Sequence, residues 1–437
     1  MSGFGWPDGG AGRPPYDVPV PERNHLIDLA RIGSMLIVVV FHSLLWQVSV
    51  VNGGLRVVPW APGPVFWAIS WLATIIPIFF VAAGFANAVV VDKWRASGAP
   101  YAAFLTLRGS RLLGPMSLFL IVFTVVGTVA AWAGWLPEAV ALSRQFAQLL
   151  WFAVVYELLL AVAPLSVWLH DRFGGWVMLP LLAGVVGVDV AVRLTGDQGL
   201  AWINLAFAWP LAHQWGVAYH RGWFRTWPVR RLLAVIAGAA LAIVALVFWL
   251  RYPPAAVAWA DVLVANLLPP TLAIVALGLI QTCVLGLLER AGVAANLSER
   301  TGGLVRLANA LLLTAYLWHI PVIILSAGLL VGLTLVVPAA APVLMNAVLL
   351  MVVVVAAVAL VVPWIARVEL RFIPRSGPGQ PPQGLAVAGY TLFATGTWAV
   401  WQLGAVLHPG APAAAVAVLV VAVGIVILHR ATTRTST

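Results

Sequence analysis

Twelve stretches of this chain run for about twenty residues with almost no charge, the length a helix needs to cross a bilayer. They are 26–48, 64–91, 112–135, 148–169, 175–192 and 201–219, then 232–250, 271–288, 307–331, 343–366, 385–407 and 411–428. A chain of 437 residues with 62% apolar and only 9% charged side chains cannot coat a soluble core with charge. A soluble enzyme, a nucleic-acid-binding protein and a disordered tail protein are therefore excluded. The expected fold class is all-α, a polytopic membrane helix bundle. Its parts are a disordered cytoplasmic tail over 1–22, a ten-span core over 23–373, a flexible Pro/Gly-rich linker over 374–384, and a C-terminal transmembrane hairpin with a short tail over 385–437. The hairpin carries almost no polar side chains, so it is expected to pack or oligomerise rather than catalyse.

The net charge of +10 fits cytoplasmic loops that face anionic lipid. With the N-terminus inside, 19 of the 24 cationic residues fall on inner segments and 4 (Arg56, Arg144, Arg193 and Arg251) on outer loops, while Arg31 lies inside the first span. That bias predicts an even number of spans with both termini cytoplasmic, in the plasma or inner membrane. The single cysteine, Cys283, rules out an intrachain disulfide or a cysteine-based metal site, and no metal is expected.

Polar residues at depth are costly in lipid, about 2.5–3.5 kcal/mol for a charge at a helix centre, so they carry the information. The first span holds Asp28, Arg31 and His42. Asp28 and Arg31 are three apart and can pair on one face. Arg31 and His42 are eleven apart, about three turns and ~16 Å of rise, so both project from one stripe. A deep histidine also serves as hydrogen-bonded glue between helices, and the aligned Arg and Asp are what favour chemistry here. Arg108 and Arg111 share a face if helical and suit a polyphosphate, although any inner loop carries arginines. Glu157 in the fourth span is either paired or held neutral, and Asp189 in the fifth is similar but nearer an end. His319, beside Pro321, is a second deep imidazole, and His213 a third. His25, His170, His220, His408 and His429 are assigned to interfaces.

Five segments in order resemble the acyltransferase-3 family of integral membrane acyltransferases. They are Arg31 and His42 with ten residues between; Phe79-Phe80-Val81-Ala82-Ala83-Gly84-Phe85; Arg108-Gly109-Ser110-Arg111 ahead of Pro115; Trp151 through Glu157 to Pro164; and Tyr316-Leu317-Trp318-His319-Ile320-Pro321. The resemblance covers roughly Arg23 to Ala366. Ala83 stands where the family usually has serine, so that hydroxyl is not the nucleophile. Nine residues follow the last span, so no appended soluble catalytic domain is expected.

The resemblance implies transfer of an acyl group, by family default acetyl, from cytoplasmic acyl-CoA to a hydroxyl of a carbohydrate, glycolipid or related acceptor. On that expectation Arg31, Arg108 and Arg111 bind the CoA portion, His42 is the general base, and Glu157 or His319 orients it, relays a proton or lines the acceptor side. A covalent acyl-histidine route is chemically open. No permanently bound cofactor is expected. The competing class is a proton-coupled multi-pass transporter, since twelve spans with buried His, Glu and Asp also suit a permease. Against it, Gly84 precedes Asp92 by eight residues rather than by the short spacing of the common permease loop, and no half-to-half repeat is evident.

Overall fold

In the computed structural model the described residues are 24–51, 54–59, 63–258, 264–375, 377 and 380–433, with backbone alone for 46–51 and 54–59. The expected tail over 1–22 lies outside them. The helices are α1 (His25–Leu45), α2 (Pro64–Ala73), α3 (Ile76–Ser97), α4 (Tyr101–Trp132), α5 (Leu136–Ala147), α6 (Leu150–Ala161), α7 (Ala163–Phe173), α8 (Met178–Thr195) and α9 (Leu205–His220). They continue as α10 (Trp223–Thr226), α11 (Val229–Phe248), α12 (Leu272–Arg290), α13 (Glu299–Ala310), α14 (Leu312–Val336), α15 (Ala341–Leu344), α16 (Ala347–Glu369), α17 (Gln383–Leu403) and α18 (Pro412–Thr433). The protein is thus a polytopic helical bundle. Among the described residues nine helical stretches are long and apolar enough to cross a membrane, or ten if the bent pair α5–α6 counts as one span. Each of the twelve apolar stretches read from sequence contains a helix.

Several boundaries differ from expectation for physical reasons. The first span ends at Leu45, and the chain continues as β1 (Trp46–Val51) paired antiparallel with β2 (Gly54–Pro59), Trp46 opposite Pro59. The alternation and β-branched residues of 46–59 favour this local hairpin within the otherwise helical chain. Helix α4 starts at Tyr101, eleven residues before the expected span, so Arg108 and Arg111 sit in a helix and not in a loop. The ninth expected span, 307–331, crosses the break at Leu311 that separates α13 from α14. Helix α5 has no counterpart in the twelve stretches: its charged Glu138 and Arg144 hide a helix that buries Ala139, Ser143, Phe146 and Ala147 on one side.

Residues 163–195 are apolar enough to be read as one long span, yet the chain reverses within them. Ser166 lies beside His213 and Asp171 beside Arg221, so α7 runs parallel to α9. Gly184 meets Phe207 and Asp189 meets Asn204, so α8 runs antiparallel to it. The turn falls at Gly174, whose φ of 58° is the left-handed conformation that glycine adopts without strain.

The closest helix crossing is α3 against α9. A Cβ on Gly84 would lie 1.9 Å from the carbonyl oxygen of His213, and one on Gly216 would lie 1.9 Å from that of Val81. Two glycines therefore let the backbones touch, the small-residue packing expected where lipid offers no hydrophobic drive between helices. At the ends of α3, α7 and α9, Arg221 donates to both Asp92 and Asp171, and Arg95 donates to Asp171, which ties the three helices together. The hairpin α17–α18 packs on the core: Tyr390 donates to the carbonyl of Glu157 at 2.7 Å, and Leu428 and Tyr390 lie over Gly109 of α4.

Candidate active site

Helix α1 is unbroken from His25 to Leu45, so the eleven-residue offset between Arg31 and His42 holds. Met35 and Val38 lie between them on the same stripe. Both are buried in a cluster with Tyr316 and Leu317 of α14, which fixes the direction the stripe faces. His42 is half-buried, and its Nδ1 lies 3.2 Å from Nε2 of His319 and 3.0 Å from the Val38 carbonyl oxygen. The two ring centroids are 5.0 Å apart. Residues 277 positions apart in sequence thus form one imidazole pair.

The backbone sets the protons of this pair. Nδ1 of His319 is 2.7 Å from the carbonyl oxygen of Tyr316, a group that only accepts, so Nδ1 carries the hydrogen. Nε2 of His319 is then a lone pair directed at His42. Nδ1 of His42 faces two acceptors, this lone pair and the Val38 carbonyl, so it too carries hydrogen. The free lone pair of His42 is left on Nε2, the tautomer a general base needs. His319 has no exposure, and Tyr316 anchors its helix by donating to the Leu149 carbonyl at the α5–α6 break, 2.7 Å away.

The other expected site residues fall elsewhere. Among the described residues no ion pair joins Asp28 to Arg31, and Asp28 accepts from Asn309 on α13, which only the fold brings to it. Arg31 is half-buried, Arg108 is 9% exposed, and Arg111, three residues on, is exposed, so the two arginines of α4 meet different surroundings. Arg108 Nη2 donates to Asn87 Oδ1 at 3.3 Å. Glu157 is 1% exposed at the α6–α17 contact, and no hydrogen bond or ion pair among the described residues joins it to either histidine of the pair. Asp189 accepts from Asn204, Tyr252 and the Leu272 amide at 2.7–2.9 Å, a satisfied clamp at the start of α12. His170 and His220, expected at interfaces, are both buried and bonded, to Gln214 Oε1 and Asp92 Oδ2.

Among the buried polar residues outside the sequence expectations, two touch the helices of these groups. Glu369 ends α16 and accepts from Thr314 of the His319 helix at 2.5 Å. Asn87, with no exposure, joins Arg108 to His213. Asn87 lies in an otherwise apolar run (Ala86, Ala88, Val89, Val90, Val91), which was the available signal.

A bundle of apolar helices with an imidazole pair near one end of its first helix defines a polytopic membrane protein. Residues 24–368 match the model of the acyltransferase-3 family, described as an acyltransferase domain. The match covers most of the chain, and the chain belongs to that family: it is a membrane acyltransferase. No curated protein and no solved structure matched it.

Proposed function

We propose that the protein moves an acyl group, acetyl by family default, from cytoplasmic acyl-CoA to a hydroxyl of a carbohydrate or glycolipid, with both termini cytoplasmic in a plasma or inner membrane. The observation that carries this reading is the His42–His319 pair, which leaves Nε2 of His42 as the unprotonated nitrogen. That nitrogen takes the proton from the acceptor hydroxyl as its oxygen attacks the thioester carbonyl. The C–S bond then breaks, and the departing CoA thiolate receives the proton back from the His42 imidazolium. Positioned acid–base catalysis of this kind is worth about 10²–10⁴-fold. His319 is a positioning residue that holds the tautomer and ring plane of His42. Arg31 and Arg108 meet the phosphates of the donor, since guanidiniums grip phosphate through paired charge-assisted hydrogen bonds. Arg111, exposed on the same helix, is the outermost contact. Glu157 lies with α17 and takes no part in the proton transfer.

The test is labelled acetyl-CoA supplied to the purified protein in lipid, with and without cell-envelope extract. Label joined covalently to a glycan or glycolipid is the expected result. Label that crosses a vesicle membrane unchanged, with none transferred, would replace this reading by the transporter.

A further inference from the structure

Arg108 is a buried cation without a counter-ion among the described residues. Among the described residues its only hydrogen bond is to Asn87, its Nε has no partner, and no carboxylate lies within ion-pairing distance. Burying an uncompensated guanidinium is expensive, so the fold needs a device that keeps it aimed. The device is visible as a chain of hydrogen bonds whose polarity is forced at every link. Arginine can only donate, so the Asn87 oxygen must face Arg108. That directs the Asn87 amide nitrogen at Nε2 of His213, 3.2 Å away, which must then accept. Nδ1 of His213 therefore carries the hydrogen and donates to Ser166 Oγ at 3.2 Å. Gln214 donates to the same Ser166 oxygen at 2.9 Å, and its own oxygen accepts from His170 at 3.1 Å. The Gly84–Gly216 backbone contact leaves Asn87 and His213 no room to drift apart.

We propose that Asn87 is a positioning residue that aims the Arg108 guanidinium at the phosphates of the acyl donor, with His213 holding the Asn87 amide in the one orientation that does so. The inference rests on the reading that Arg108 meets those phosphates. An Asn87 amide turned by half a revolution would present hydrogens to the guanidinium and repel it. An aspartate at 87 would instead neutralise Arg108 and compete with phosphate.

The experiment measures binding of CoA and of pantetheine, which lacks the phosphates, to the full chain in nanodiscs by calorimetry. The wild-type protein prefers CoA by at least about tenfold, 1.4 kcal/mol. Asn87→Asp lowers that preference about tenfold while its unfolding temperature is no lower than wild type, because the new carboxylate pairs with Arg108. A merely structural Asn87 would lose stability and leave the preference intact. His213→Leu lowers the preference about three- to tenfold, and His213→Gln restores most of it, since the glutamine oxygen accepts from Asn87 as Nε2 does. A wild-type protein with no preference would overturn the phosphate reading and the inference together. A wild-type preference that survives both Asn87→Asp and His213→Leu would overturn the inference alone, and the His213 pair carries the test if Asn87→Asp fails to fold.

Discussion

The molecule holds two buried arrangements built around an imidazole, and their hydrogen bonds separate their roles. In the α3–α9 arrangement both nitrogens of His213 are committed, one to Asn87 and one to Ser166. In the α1–α14 arrangement the His319 nitrogens are committed to Tyr316 and to His42, but Nε2 of His42 has no partner among the described residues. An imidazole with both nitrogens spoken for orients its neighbours, whereas one with a free lone pair can take a proton. Burial follows the same division: His213 and His319 have no exposure, whereas His42 is half-buried.

The sharpest way to break this contrast is to remove both members of the His42–His319 pair. His42→Ala with His319→Ala should cost acyl transfer no more than His42→Ala alone, because groups that act as a unit lose their effect together. Losses that multiply across the two sites, measured as kcat/KM in matched membranes, would mean two independent functions. His319→Ala by itself should lower kcat by about tenfold to a hundredfold, less than the full acid–base contribution. A kcat equal to wild type would reduce His319 to packing. The smallest effect belongs to the other arrangement. His213→Leu should raise KM for acyl-CoA about three- to tenfold, each tenfold being 1.4 kcal/mol of donor binding. A larger fall in kcat than rise in KM would erase the difference between the two sites.

Much of this was legible in the sequence because lipid makes polar residues conspicuous. The apolar stretches marked the helices, and helical pitch alone placed Arg31 and His42 on one stripe. His319 was visible as a deep imidazole, but not its contact with His42, which spans 277 positions and depends on how α14 docks. Helical spacing allows Asp28 to meet Arg31, but it says nothing about Asn309, which the tertiary fold brings to Asp28. Asn87 escaped notice because a neutral amide in a helix raises no charge alarm. Its meaning comes only from Arg108 on one side and His213 on the other.

If His42 supplies the base while the donor is held elsewhere, one variant separates chemistry from binding. His42→Ala, expressed to wild-type levels in membranes, should bind CoA within about threefold of wild type yet lose transfer of labelled acetyl groups by about 10²-fold or more. Transfer that continues at the wild-type rate would contradict the account.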